Sequence, residues 1–231
     1  MSERDFNREL YPFLYESGEG KRGSRARLEA AVADVERSTI QKSDDVMALR
    51  GALLEESRET LIDAAIALAA SFAAGHKLLA MGNGGSATDA QDVAADCVDP
   101  PFADWRSLPA IALVNDIGVV TAVANDVGFE NVFTRQIIAL GDTGDVALGI
   151  TTSGSSPNVR SAFAAAKRRG LTTIALTGYG GGVLAGDGNT DFCFVARSEH
   201  VPRIQEGHAT VWHTLLELAH ALLGDPIREA A

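Results

Sequence analysis

The stretch LLAMGNGGSATDAQDVAADCV, Leu78–Val98, decides how this chain is read. An apolar run, Leu78–Met81, stops at a glycine loop, and the loop opens into a segment of helical composition. Gly82, Gly84 and Gly85 permit tight turning and close approach of a ligand to the backbone. Ser86 adds a hydroxyl near a helix start, where free N–H groups and the helix dipole favour an anion. The helix beyond carries Asp89, Asp92 and Asp96. The loop also satisfies G-x-G-x-x-A through Gly82, Gly84 and Ala87, a variant of the dinucleotide fingerprint. That fingerprint wants an acidic residue about 20 positions on, at the end of a second strand. Here that region is DPPFADWRSLP, a loop, so no nucleotide cofactor is expected. A glycine turn without any ligand stays open as the plain alternative.

Outward from this stretch the grammar is regular. Short apolar runs, Lys77–Met81, Ala110–Val114, Val146–Thr151, Thr173–Leu176 and Phe192–Val195, alternate with helical segments. The runs show little apolar/polar alternation, as expected of strands covered on both faces. The fold class that follows is α/β, with a doubly wound, mainly parallel five-stranded sheet. In such sheets ligands bind beyond the carboxyl ends of the strands, near a topological switch.

Before the sheet, residues 24–75 are rich in Ala, Leu, Glu and Arg and contain no proline. Apolar positions recur at helical spacing: Leu28, Val32 and Val35, then Leu53, Leu61, Ala65, Leu68 and Phe72. Two or three helices are expected, the last stopping at Gly75. Leu61–Ala74 is almost wholly apolar, which fits either an intramolecular hairpin or a surface shared with another subunit. Residues 1–23, with aromatics and then glycines, read as an arm.

Composition excludes several classes. Lys and Arg number 20 against 31 Asp and Glu, a net charge of −11, which argues against broad nucleic-acid binding. A local anion site built from backbone N–H groups is compatible with that charge. Hydrophobic residues make up 46% of the 231, enough to bury a full core. Cys97 and Cys193 form no CxxC pair, so no disulfide framework or thiolate zinc site is expected. The N-terminus lacks an apolar signal core, and no stretch reaches the roughly 18 unbroken apolar residues of a membrane span. The expected location is the cytoplasm, with no membrane partner.

After the third strand comes GITTSGSSPNV. Thr151, Thr152, Ser153, Ser155 and Ser156 surround Gly154, and Pro157 suits a first helical turn. A hydroxyl-rich loop opening a helix reads as a phosphate cradle; the alternative is an ordinary Ser/Thr-capped helix start. The loop after the fourth strand, TGYGGGVLAGDGNTD, carries no assigned chemistry. After the fifth strand a helix begins in SEHVPRIQEGH and reads to the C-terminus. It holds Gln205 and His213, about two turns and roughly 80° apart.

GNGGS, then ITTSGSS, then RIQEGH…H resemble the sugar isomerase (SIS) domain family, and within it the phosphoheptose, or sedoheptulose 7-phosphate, isomerases. The likeness runs over about residues 45–225. It implies a SIS-type, flavodoxin-like sheet with an N-terminal helical extension. The chain then divides into an arm (1–23), a helical oligomerisation segment (24–75) and an α/β core (76–231), with 24–231 as one structural domain. A homotetramer is implied, with a helical bundle at its centre and substrate bound between subunits. Asn83, Gly84, Gly85 and Ser86 would hold the sugar chain, and Thr151, Thr152, Ser153 and Ser156 the phosphate. Asn125 and Asp126 would reach the substrate. Gln205 and His213 match a substrate- and metal-binding Gln and a catalytic, metal-binding His. Where these isomerases usually place His and Glu, four apart, this chain has Asp92 and Asp96. The implied catalytic pair is Asp96 and His213. The implied metal ligands are Asp92, Asp96, Gln205 and His213, around one divalent ion: Zn²⁺, or Mn²⁺ or Mg²⁺ given the carboxylate at 92.

Two functions follow. One is an aldose–ketose isomerase converting sedoheptulose 7-phosphate to a heptose 7-phosphate through an enediol. The other is a non-catalytic phosphosugar-binding or protein-bridging module. Asp92 and Asp96 as solvated helix carboxylates remain the alternative to a metal site.

Overall fold

The computed structural model describes residues 25–227, so the arm expected over 1–23 lies outside the described residues. The chain divides into two compact units, Met1–Asp44 and Asp45–Ala231. Helix α1 spans Arg25–Ala73 without a break. The expected two or three helices are therefore one. Gly51 costs a helix interior about 1 kcal/mol, which 49 residues without proline absorb.

In the first unit, Arg37 pairs with Asp34, and Thr39 donates to the Val35 carbonyl at 2.8 Å. In the second unit, α1 turns Leu53, Leu61, Ala65, Leu68 and Phe72 into the core. It ends in a Schellman motif: His76 N–H reaches the Ser71 carbonyl, Gly75 N–H reaches that of Phe72, and Gly75 takes φ +83°.

Strands β1 (Leu78–Gly82), β2 (Ala110–Ala112), β3 (Val146–Thr151), β4 (Thr172–Gly178) and β5 (Phe192–Ala196) form one parallel sheet in the order β2-β1-β3-β4-β5. β2 is shorter than its apolar run, because Asn115 N–H already turns back to the Ala112 carbonyl. Between the strands run α2 (Gly85–Val98), α3 (Ile117–Asp126), α4 (Val132–Leu140) and α5 (Pro157–Arg168); α6 (Val201–Leu222) follows β5.

Alternate strand residues feed opposite cores. Leu78, Ala80, Val146 and Leu148 pack with α1, α2 and α6 through Val93, Cys97 and Trp212. Leu79, Met81 and Ala147 pack with α4 and α5 through Phe133, Ile137 and Phe163. The winding reverses between β1 and β3, which opens a crevice beyond their carboxyl ends. Among the described residues, no helix is long and apolar enough to cross a membrane.

Candidate active site

The loops after β1 and β3 face each other across this crevice. Asn83 Nδ2 donates to Asn158 Oδ1 at 3.0 Å, and Asn158 Nδ2 donates back to Asn83 Oδ1 at 2.8 Å. Asn158 is 2% exposed, and its Oδ1 also accepts the Val159 N–H at 3.0 Å. Sequence reasoning missed Asn158. Asn83 follows β1 and Asn158 lies in the first turn of α5, positions that only the topology makes neighbours.

Ser156 occupies the N-cap position of α5, yet its side chain does not cap the helix. Its hydroxyl turns instead to Thr151 Oγ1 at 2.8 Å, while Ser153 Oγ lies 3.3 Å from the same atom. The ordinary capped start is thereby ruled out here. The helix N-terminus stays open to an anion, with Thr151 buried beneath and Ser153 exposed above. Thr152 is half-buried in the same loop.

The glycine loop after β4 holds this hydroxyl loop from behind. Leu184 N–H reaches the Gly154 carbonyl at 2.9 Å, and Val183 N–H reaches Ser155 Oγ at 3.2 Å. Gly154 has φ +62°, and a Cβ there would lie 2.0 Å from the Gly181 carbonyl oxygen. The segment to which the sequence assigned no chemistry is a backrest for the cradle.

The loop after β1 opens α2 from Gly84, again without a side-chain cap. Gly84 and Gly85 are exposed and Ser86 is buried. Gln205 on α6 lies against Gly85 so closely that a Cβ at Gly85 would stand 1.9 Å from Gln205 Nε2. α2 and α6 continue side by side. Farther along, His213 Nε2 faces Asp96 Oδ2 at 3.9 Å.

His213 Nδ1 lies 2.7 Å from the Ala209 carbonyl, an atom that can only accept. The proton of the neutral ring therefore sits on Nδ1, and Nε2 presents a lone pair toward Asp96. Burial raises the Asp96 pKa above its ordinary value; the His213 charge opposes this and the Asp92 charge adds to it. Asp89, one turn before Asp92, has a buried oxygen without a partner. Burial, then the Asp92 charge, pushes its carboxyl up to about 6.

The implied metal ligands do not close into a cage. Among the described residues, no three His, Cys, Asp or Glu side chains gather so as to hold a metal ion. Two carboxylates one turn apart repel each other, and Asp92 is turned to solvent, which relieves the repulsion without a cation. The donors of one chain do not fit a resident metal. Asn125 and Asp126 also stand apart from the crevice loops in their bonding: both are exposed at the end of α3, and Asn125 Nδ2 donates to Asp126 Oδ1 at 2.8 Å.

A five-stranded parallel sheet with a glycine loop and a hydroxyl-rich loop at its switch crevice is the architecture of the sugar isomerase class of domains. The chain belongs to the SIS domain family, whose model matches residues 42–178. It is 41% identical over 175 residues to a phosphoheptose isomerase of Nitratidesulfovibrio vulgaris (76% of this chain, 83% of that one). It is 47% identical over 163 residues to one of Pelobacter propionicus (71% and 85%). Its structure resembles that of phosphoheptose isomerase GmhA from Neisseria gonorrhoeae with a TM-score of 0.74. That match has 33% identity and covers 81% of this chain and 99% of the other.

Proposed function

We propose that this chain is an aldose–ketose isomerase that converts sedoheptulose 7-phosphate to a heptose 7-phosphate, working as a cytoplasmic homotetramer with shared sites. The observation that carries the catalytic reading is His213 Nε2 facing Asp96 Oδ2 at 3.9 Å with the ring tautomer fixed. A non-catalytic module has no use for a bare imidazole nitrogen held opposite a carboxyl of raised pKa. At that separation one substrate hydroxyl can sit within about 2.8 Å of both groups.

Isomerisation moves a carbonyl between C2 and C1. His213 Nε2 takes a proton from C1 of the ketose, leaving an enediol, and after exchange with solvent delivers a proton to C2. Asp96 carries the hydroxyl proton between O1 and O2, and its protonated form donates to the oxygen on which charge develops. Thr151, Thr152, Ser153, Ser156 and the open start of α5 hold the phosphate, a handle remote from the reacting carbons. No step requires a metal. The likeness to isomerases implies one, but the donors gathered here do not support it.

The test is proton NMR of sedoheptulose 7-phosphate in D₂O with wild type, Asp96→Asn and His213→Gln. Wild type is expected to give the aldose with deuterium at C2. Each variant should lose about 10²–10⁴ in kcat while binding is kept. Wild-type binding without exchange or product would make the chain a phosphosugar-binding module.

The tetramer rests on the likeness and on an apolar surface. Leu54, Ile62 and Ile66 of α1 are exposed. Leu54 and Ile62 line a groove with Leu61 and Leu218, rimmed by Glu55 and Arg58. Such a stripe is the kind that association buries.

A further inference from the structure

We propose that Asn158 is a positioning residue, whose reciprocal amide pair with Asn83 latches the sugar loop after β1 to the phosphate loop after β3. The proposal rests on the isomerase reading above and deepens it. Two strands that are adjacent in the sheet, but separated in the chain by a winding reversal, end in two loops with different tasks. In a parallel sheet the strand ladder stops where the ligand begins. From Gly82 and Thr151 onward, the relative position of the two loops has to be set by side chains.

The pair does this with the strongest geometry two amides allow. Each carboxamide donates to and accepts from the other, at 3.0 and 2.8 Å, so neither can rotate without losing both bonds. Asn158 is itself anchored, because its Oδ1 also takes the Val159 N–H of the first turn of α5. That turn carries the open helix start, and Asn83 immediately precedes Gly84, the N-cap of α2. The latch therefore fixes the distance between two helix N-termini, one facing the phosphate and one facing the sugar.

Two consequences separate a latch from a merely buried amide. Losing it leaves each loop able to bind its own part of the substrate but unregistered with the other. Turnover should fall more than affinity. In addition, the pairing is a donor–acceptor pattern, so chemistry that restores the pattern restores the function. Asn158→Asp provides this. Ionised, the substituted carboxylate would set two acceptors against each other at Asn83 Oδ1. Protonated, the same group would donate to that oxygen and accept from Asn83 Nδ2, rebuilding the cyclic pair in the same shape.

The experiment compares wild type, Asn158→Ala and Asn158→Asp for kcat and KM on sedoheptulose 7-phosphate between pH 8 and pH 5, with calorimetry of inorganic phosphate alongside. Asn158→Ala is expected to lose at least tenfold in kcat with less than a threefold change in phosphate affinity. The ratio of Asn158→Asp to wild-type kcat should climb as pH falls. A ratio flat with pH, or a loss confined to KM, would overturn the latch. In ¹H–¹⁵N spectra, the Asn83 side-chain amide should show one proton protected from exchange in wild type and none in Asn158→Ala. That readout is independent of turnover: an intact latch in a wild type without activity would sink the isomerase reading alone. Protection unchanged in Asn158→Ala would remove the latch whatever the activity.

Discussion

His208 sits on α6 between Gln205 and His213, yet it faces away from solvent, 1% exposed. Its Nε2 donates to the Thr177 carbonyl at 2.8 Å, and its Nδ1 is buried with no partner. A proton on Nδ1 would place a charge and a donor where nothing accepts. Burial pushes the pKa down to about 4, against a small opposing pull from the Thr177 carbonyl. The unfolded ring titrates near 6.5. Between these values the unfolded state binds more protons, so stability falls as pH drops from 6.5 through 4. Asp89 acts oppositely, its raised carboxyl weakening the fold as pH rises toward 6. The depressed Asp225 carboxyl, held near 2 first by Arg106 and then by His220, gives up its contribution only at lower pH. Wild type should therefore lose about 2 kcal/mol between pH 7 and 4.5 relative to His208→Gln, which keeps the bond to Thr177 and cannot charge. Urea denaturation of both at fixed protein concentration measures this. Parallel pH curves would show that His208 is not the titrating group.

At the scale of elements, the hydroxyl loop gives the sharpest expectation. Ser153→Ala and Ser156→Ala should each weaken sedoheptulose 7-phosphate binding about five- to tenfold. Each loses on the order of 1 kcal/mol, somewhat more toward a charged phosphate, with the fold intact. Gly154→Ala should cost far more than either, since its Cβ would lie 2.0 Å from the Gly181 oxygen at φ +62°. Calorimetry reads all three, and unchanged affinity in both serine variants would take this loop out of the site. The loop was legible in the sequence because hydroxyls and glycine crowd a strand end. Its backrest was not, since Gly181 and Gly182 touch it only through tertiary packing. Strands β1, β3, β4 and β5 were legible to within two residues at either end, because apolar runs buried on both faces need no partner to be seen. The continuity of α1 was not. Two or three helices were expected there, and the single helix persists through Gly51 while its second half buries Leu53, Leu61 and Leu68. Asn158 was hidden because its partner, Asn83, lies 75 positions away in the chain.

At the scale of the whole molecule, the question is how the phosphate cradle and the acid/base pair come to act on one substrate. Gln205 meets the loop after β1, whereas His213 lies eight residues on, about 12 Å farther along α6. The pair is half-open to solvent, with His213 59% and Asp96 31% exposed. The proposed tetramer, with its exposed stripe of Leu54, Ile62 and Ile66, carries the further proposal that subunits share sites. Shared sites then make a prediction about mixtures. Ser153→Ala/Ser156→Ala lacks the cradle but keeps the acid/base pair; His213→Gln lacks the base but keeps the cradle. Where one subunit supplies the cradle and another the base, mixed assemblies contain some sites with neither defect. Assayed at a substrate concentration well below the raised KM of the serine variant, where both parents turn over slowly, the co-refolded mixture should therefore exceed the sum of the two parents. Where every site is drawn from one chain, each site in the mixture carries one defect and nothing returns. Sedimentation run beside the assay should give four times the chain mass of 24.3 kDa. Leu54→Glu/Ile62→Glu should reduce that mass and abolish the complementation. A single-chain mass with full wild-type activity would overturn both the tetramer and the sharing, and a tetramer without complementation would overturn the sharing alone.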